Sequence, residues 1–235
     1  FNSDLPKFIH TISGKQLIDF NIEVLEKVKN INQIKIITSN MNAQFVKSKN
    51  KELFIQSPID GTGGAIKQFY NSNKNFDYYL VLLADTPIFD YRVIANFLSQ
   101  GIKSKVDISV LSQNINNPSG YGRVIIKNNK LLKIVEELEC NPEEKKIKLV
   151  NTGIFLISKK AIKNVFSLKK NKTKREFYIT DLINISYKQN LNLKTYINDK
   201  SPILGVNNFK ELNDLEKISQ HLIKLKLINS GVKII

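Results

Sequence analysis

The stretch from Tyr78 to Pro87 reads YYLVLLADTP and carries the clearest signal in the sequence. An apolar run that ends in a turn is typical of a strand buried in a sheet. In open α/β sheets, ligands bind at the carboxyl ends of strands, where an aspartate can hold a magnesium ion and its phosphates. Asp85 is therefore the first candidate for a metal ligand. An aspartate that only caps the following turn fits the same pattern.

Helical and strand patterns alternate around this stretch. Residues 16–28 have helical apolar spacing, and residues 34–38 form a β-branched run. Such alternation predicts an α/β fold with a mostly parallel central sheet and helices on both faces. The other predicted helices lie at about 42–48, 64–70, 160–166, 180–187 and directly after Asp90, and the other predicted strands lie at 53–56, 78–84, 106–111, 149–157 and 193–197.

The pattern changes in two places. Strands are predicted at 123–127 and 130–135 around Asn128-Asn129, a pair that tolerates positive φ, so this segment is interpreted as a β-hairpin flap beside the sheet. A long helix is predicted from about 209 to 228. The predicted division is 1–208 for the α/β domain and 209–235 for a C-terminal linker helix.

Composition narrows the function classes. The 235 residues carry a net charge of +15, which would attract polyanions. The lysines are scattered, however, and only three arginines are present, whereas nucleic-acid recognition favours the guanidinium group. We expect no nucleic-acid partner and no membrane partner, since no apolar run is long enough to span a bilayer. A single cysteine, Cys140, fits a cytoplasmic location.

Two glycine-rich segments are further candidates. The Gly61-Thr62-Gly63-Gly64-Ala65 string lies between a strand and a helix, where backbone N–H groups can face a nucleotide, although an ordinary turn fits equally. The Gly120-Tyr121-Gly122 string leads into the hairpin, and Glu136 and Asn151 follow it. Carboxylate and amide groups suit the recognition of sugar hydroxyl and N-acetyl groups, but each of these residues taken singly is more often structural.

Taken in order, a series of short motifs resembles the bacterial bifunctional N-acetylglucosamine-1-phosphate uridyltransferase family over nearly the whole chain. The resemblance implies the nucleotide-diphospho-sugar transferase fold, which is Rossmann-like. The motifs are Ser3-Asp4-Leu5-Pro6-Lys7, Gly61-Thr62-Gly63, Ala84-Asp85-Thr86-Pro87, Gly120-Tyr121-Gly122-Arg123, Ile134-Val135-Glu136, Asn151-Thr152-Gly153, Tyr178-Ile179-Thr180-Asp181 and Gly205-Val206-Asn207-Asn208.

The resemblance also implies an activity and its residues. The substrates would be UTP and N-acetylglucosamine 1-phosphate, with Mg²⁺ as the cofactor. Lys7 and Asp85 would be catalytic, and Asp85 and Asn207 would hold the metal. The substrate-binding set would be Lys7 at phosphate, Gln56, Gly61 and Thr62 at uracil, Leu83, Ala84 and Asp85 beside them, Gly122, Glu136 and Asn151 around the sugar, and Asn207.

Three departures from the family pattern accompany the resemblance. Residues 1–235 do not include the family's first strand and its phosphate-binding loop, nor the acetyltransferase domain through which the family forms homotrimers. This segment alone is therefore expected to be inactive and monomeric. Ala84 stands where the family usually has glycine. The alternatives are another sugar-phosphate nucleotidyltransferase, and a non-catalytic protein that binds nucleotide sugars.

Overall fold

The computed structural model describes residues 5–46, 51–128, 130–171 and 174–234. These residues form an α/β fold, as the alternating patterns predict. The helices are α1 (Leu17–Glu26), α2 (Asn40–Ala43), α3 (Gly61–Ser72), α4 (Tyr91–Lys103), α5 (Pro142–Lys145), α6 (Asp181–Lys188) and α7 (Phe209–Asn229). The strands are β1 (Thr11–Ile12), β2 (Lys15–Gln16), β3 (Lys35–Thr38), β4 (Glu52–Ile55), β5 (Tyr78–Leu82), β6 (Ile108–Asn114), β7 (Arg123–Lys127), β8 (Lys130–Val135), β9 (Leu149–Ser158) and β10 (Leu193–Ile197).

The central sheet is mixed rather than mostly parallel. It has the order β10-β6-β9-β7-β8, and β5 also pairs with β9. Strands β5, β6 and β10 run in one direction, whereas β9 is antiparallel to β5, β6 and β7. The expectation of a mostly parallel sheet is wrong, because β9 at the centre is antiparallel to its three neighbours and β8 is antiparallel to β7. The apolar run of β9 is buried on both faces, as in a parallel strand, so burial alone does not reveal the direction of β9.

Helices cover both faces of the sheet, as predicted. Successive residues of β5 point to opposite faces. Tyr79 packs with α3 and α6 on one side, and Leu80 packs with α1 and α4 on the other. The two apolar clusters hold the carboxyl end of β5 in a fixed place.

Strand β9 changes partner next to this end of β5. On one edge β9 pairs with β6 along both parts of its length, and on the other edge residues 154–158 pair with β5 and Val150 pairs with Arg123 of β7. The register against β6 shifts between these two parts, and Gly153 in the shifted segment has φ +78°. The bulge opens the sheet where β5 ends, a common arrangement beside active sites.

The predicted hairpin exists, but it is part of the sheet. Strands β7 and β8 have the predicted bounds and pair with each other, and β7 continues the sheet through β9. The interpretation as a flap beside the sheet is therefore wrong. Arg123 and Val124 of β7 are buried, which fits a strand packed within the sheet and not an exposed flap.

Strands β3 and β4 form a separate parallel pair. A cavity of about 590 Å³ lies between this pair and β5, lined by backbone and side chains of β3, β5, α1 and α3. Most of its lining is aliphatic or aromatic. Its edge reaches Gln56, Gly61, Thr62, Leu83 and Ala84.

Other differences from the sequence predictions are local. The segment predicted as a helix over 160–166 is a 3₁₀ helix at Ile162–Ser167, and β1, β2 and α5 were not predicted. Ser3 and Asp4, Asn129 of the hairpin turn, and the end of the helix predicted over 42–48 lie outside the described residues. Among the described helices, none is both long and apolar enough to cross a membrane.

Candidate functional site

Asp85 and Asn207 lie on the same side of the molecule, beyond the carboxyl end of β5. The backbone N–H of Val206 donates to the carbonyl oxygen of Asp85 at 3.0 Å, which fastens the turn before α7 to the end of the strand. Lys7, in a 3₁₀ helix at Lys7–Ile9, donates from Nζ to Oδ1 of Asn207 at 3.2 Å. Three residues that are far apart in sequence therefore meet at one point.

Burial and a nearby positive charge act in opposite directions on the Asp85 carboxyl group. Burial raises its pKa above the ordinary value, and the positive charge of Lys7 acts in the opposite direction. A carboxylate in such surroundings gains from a second cation, since a nearby positive charge favours its ionised form. Strongly perturbed carboxyl groups in clefts are candidates for functional residues.

The predicted nucleotide residues line one wall of the cavity. Gln56 follows β4 and donates from Nε2 to the carbonyl oxygen of Gly61 at 3.1 Å. Gly61 begins α3 at φ +77°, and a Cβ there would lie 2.8 Å from the carbonyl oxygen of Phe177. Only glycine fits this approach without displacement. The Thr62 hydroxyl is already engaged, because it accepts from the N–H of Ile179 at 3.1 Å.

Leu83 and Ala84 connect this wall to Asp85. The N–H of Leu83 donates to the carbonyl oxygen of Gly153 at 3.2 Å, and a Cβ on Gly153 would lie 2.7 Å from a Leu83 methyl carbon. Ala84 packs against the small apolar cluster of Ile18, Ile22 and Ile36. The side chains of these two residues thus serve packing, which leaves their backbone at the edge of the cavity.

The three predicted sugar residues also come together. The N–H of Asn151 donates to the carbonyl oxygen of Gly122 at 2.9 Å, and a Cβ on Gly122 would lie 3.5 Å from Oε2 of Glu136. Burial raises the pKa of Glu136, and a hydrogen bond from Thr180 lowers it. A Cβ on Gly120 would lie 3.7 Å from Nδ2 of Asn207, so this group adjoins the Asp85 and Asn207 pair.

Several supporting residues were not singled out from the sequence. The Tyr121 hydroxyl accepts from the N–H of Gly205 at 3.1 Å and links the glycine loop to the turn that carries Asn207. Asn21 of α1 donates to the carbonyl oxygen of Leu83 and accepts from the N–H of Ile88, at 3.3 and 3.0 Å. Asn21 is a polar residue on the apolar face of a predicted helix, and this feature of the sequence could have identified it. Tyr121 carried no local signal beyond its place between two glycines.

The donor set at Asp85 suits a hard divalent cation. One carboxylate and one amide oxygen are provided, and Mg²⁺ typically takes one or two protein carboxylates and completes its shell with water and substrate phosphates. Groups of three or more His, Cys, Asp or Glu side chains able to hold a metal are absent from the part of the chain that the structure describes. A fully protein-enclosed metal centre is therefore not found there.

Comparisons with known proteins show which family the chain resembles. The nucleotidyl transferase family model matches residues 3–204. The chain is 33% identical over 241 residues to the bifunctional protein GlmU of Thermosipho melanesiensis, covering 100% of this chain and 51% of that protein. It is 36% identical to the bifunctional protein GlmU of Buchnera aphidicola subsp. Schizaphis graminum, covering 98% and 50%. The chain thus spans about half the length of these curated relatives.

Solved structures show the same fold. A CMP:2-keto-3-deoxy-manno-octonic acid synthetase complexed with CTP has a TM-score of 0.70 at 15% identity, covering 94% of this chain and 95% of that one. An apo-UDP-glucose pyrophosphorylase has a TM-score of 0.69 at 16% identity, covering 92% and 90%. At these identities, the likeness concerns the fold alone.

Proposed function

The chain belongs to the nucleotidyl transferase family, and we propose that it transfers UMP from UTP to N-acetylglucosamine 1-phosphate. A phosphate oxygen of the sugar phosphate attacks the α-phosphorus of UTP. The bond from that phosphorus to the oxygen bridging the β-phosphate breaks, so the products are UDP-N-acetylglucosamine and pyrophosphate. The observation that carries this proposal is the adjacency of the Asp85, Asn207 and Lys7 group to the Gly122, Glu136 and Asn151 group.

The base of the nucleotide is proposed to bind at the start of α3. Gln56 and the backbone of Gly61 and Thr62 offer donors and acceptors to the uracil edge, at the N-terminus of α3. The Gln56 side chain is held by Gly61, which limits its freedom before the base arrives. Preorganised polar groups of this kind lower the cost of ordering on binding.

Lys7, Asp85 and Asn207 are proposed to act at the phosphates. The Lys7 ammonium group would neutralise phosphate oxygens as negative charge develops on them. Asp85 and Asn207 would hold a divalent cation, with Mg²⁺ as the proposed ion; when bound, it supplies charge neutralisation and alignment of the phosphates. For this class of reaction, positioning and electrostatic stabilisation supply most of the rate enhancement.

Gly122, Glu136 and Asn151 are proposed to bind the sugar. Gly122 lets the loop pack closely on β8, because a Cβ there would lie 3.0 Å from a methyl carbon of Ile134 and 3.5 Å from Oε2 of Glu136, and this keeps the Glu136 carboxylate beside the loop. The Glu136 carboxylate can accept hydrogen bonds from hydroxyl groups, and the Asn151 amide can both donate and accept. The order of groups from Gln56 to Asn151 then follows the order of base, phosphates and sugar in the product.

The proposal is tested by substrate choice. The full-length protein is incubated with UTP, CTP or dTTP and with N-acetylglucosamine 1-phosphate or glucose 1-phosphate, and pyrophosphate release is measured. We expect the highest kcat/KM with UTP and N-acetylglucosamine 1-phosphate. A higher value for another pair would favour a different sugar-phosphate nucleotidyltransferase, and no release with any pair would favour a non-catalytic role.

Assembly and location remain proposals as well. From the family resemblance we propose that the full-length protein forms homotrimers. From the composition we propose a cytoplasmic location and no nucleic-acid or membrane partner. Retention on nucleic acid at physiological salt would contradict the last of these.

A further inference from the structure

The segment Phe177–Thr180, here called the strap, lies across the start of α3. The N–H of Phe177 donates to the carbonyl oxygen of Asp60 at 2.8 Å, and the N–H of Gly63 donates to the carbonyl oxygen of Phe177 at 2.8 Å. The bond from the N–H of Ile179 to the Thr62 hydroxyl adds a third connection. The strap is therefore fastened to the residues proposed to bind the base.

The other end of the strap contacts the proposed sugar pocket. The Thr180 hydroxyl donates to Oε1 of Glu136 at 2.8 Å, and Thr180 is only 4% exposed. Because Thr180 holds Oε1, Glu136 presents its second oxygen, Oε2, to the Gly122 position. One oxygen of the carboxylate is thus fixed by the protein and the other faces the glycine loop.

Capping does not explain this threonine. Thr180 occupies the N-cap position of α6, where a threonine hydroxyl ordinarily accepts from a backbone N–H of the first turn. Here the side chain makes no capping hydrogen bond. The backbone of Thr180 is helical, with φ −61° and ψ −26°, which does not suit a capping hydrogen bond, and its hydroxyl is bonded to Glu136.

The hydrogen bond from Thr180 counteracts the effect of burial on the pKa of Glu136. Burial raises the pKa of Glu136 most, Thr180 lowers it, Glu139 raises it and Lys174 lowers it. Tyr178 and Asp181 also face this carboxyl group, and Asp181 has a raised pKa for the same reasons of burial and neighbouring carboxylates. The Thr180 hydroxyl is the leading contact that favours the ionised form.

We propose that Thr180 is a positioning residue that orients Glu136 toward the sugar and, through the strap, fixes the sugar pocket relative to the base-binding residues. This inference rests on the proposed function. A hydroxyl that holds one carboxylate oxygen leaves the other free for a sugar hydroxyl group and limits rotation of the side chain. Loss of the hydroxyl should therefore weaken sugar binding specifically.

The test compares Thr180→Val, which keeps the shape and removes the hydroxyl, with Thr180→Ser, which keeps the hydroxyl. In the full-length protein, we expect Thr180→Val to raise the KM for N-acetylglucosamine 1-phosphate about tenfold, while the KM for UTP changes less than about twofold. The acid limb of kcat/KM for the sugar phosphate should move to higher pH, and Thr180→Ser should restore both values. Ser186→Ala, which removes a buried hydroxyl bonded to Asn164 and belonging to no proposed binding group, is the matched control.

Three outcomes would overturn the inference: a sugar KM unchanged in Thr180→Val, equal rises in both KM values, or no rescue by serine. Titration of the Glu136 carboxyl by NMR provides a second measurement that needs no turnover. An unchanged titration in Thr180→Val would also contradict the inference. If the wild-type protein forms no UDP-N-acetylglucosamine, the proposed function itself fails, and the sugar role of Thr180 fails with it.

Discussion

The backbone N–H of Val206 donates to the backbone carbonyl of Asp85 at 3.0 Å, so the turn before α7 is joined directly to the segment that follows β5. The next residue, Asn207, is held from the other side by its own N–H, which donates to Oε2 of Glu211 at 2.6 Å. The Asp85 and Asn207 pair is thus fixed by the backbone and by α7.

Asp85→Asn should separate function from stability. We expect turnover in the full-length protein to fall by at least about 100-fold, because a metal ligand is lost. The folded-state pKa of Asp85 is raised, so its charged form costs free energy at neutral pH. The metal-free variant should therefore melt at a higher temperature at pH 7, and this gain should vanish once the pH falls below the ordinary aspartate pKa of about 3.9.

Asp90→Asn is the control for Asp85→Asn, since Asp90 caps α4 and its pKa is lowered by its hydrogen bonds to Arg92. It should leave turnover unchanged. Near-normal turnover in Asp85→Asn would show that Asp85 is not a metal ligand.

Tyr121→Phe should weaken the connection between the sugar loop and the turn that carries Asn207. The Tyr121 hydroxyl accepts from Gly205, and burial raises its pKa to about 12, so it stays protonated under assay conditions. We expect kcat/KM to fall about three- to tenfold and the Mg²⁺ concentration needed for half-maximal rate to rise. Tyr196→Phe loses a hydroxyl bond to Gln100 outside the site and should leave both quantities unchanged.

Gly61→Ala tests the close approach at the start of α3. Gly14 has nearly the same φ, +78° against +77°, but open space where a Cβ would be. Gly14→Ala should reduce the free energy of unfolding by about 1 kcal/mol through backbone strain alone. Gly61→Ala should cost at least about 2 kcal/mol more, because its Cβ meets Glu176 and Phe177. Equal losses in chemical denaturation would contradict this packing.

Arg123→Met tests the buried ion pair behind the glycine loop. Arg123 is 1% exposed, pairs with Glu137 at 2.8 Å and donates to the carbonyl oxygen of Tyr121. Its removal should reduce the free energy of unfolding by about 3 kcal/mol, since Glu137 loses its positively charged partner and the Tyr121 carbonyl oxygen loses a donor. Lys146→Met, at an exposed pair with Glu143, should change stability by less than about 0.5 kcal/mol.

The sequence predicted the elements well where periodicity was strong. The bounds of β7, β8 and β10 are those expected, and the apolar run before Asp85 forms β5. The reversed direction of β9 was not predictable, because pairing partners are distant in sequence and a buried run looks alike in either direction. The start of helix α5 has a recognisable sequence signal, because Asn141 and Glu144 form a capping box around Pro142.

The candidate site was likewise predictable from the sequence only in part. Asp85 was indicated by its position after a strand, whereas Asn207 and Lys7 were assigned only through the family motifs. The roles of Tyr121 and Thr180 depend on hydrogen bonds between distant segments, to Gly205 and Glu136. Such contacts leave no periodic pattern in the sequence, so they became visible only with the fold.

The most direct test of a cation shared by Asp85 and Asn207 is a Mn²⁺ titration of the full-length protein with UTP present, followed by electron paramagnetic resonance. We predict one tightly bound Mn²⁺ per chain, at least about tenfold weaker binding in both Asp85→Asn and Asn207→Ala, and a double variant little weaker than Asp85→Asn, because both residues hold one ion. Unchanged Mn²⁺ binding in both single variants would contradict the account.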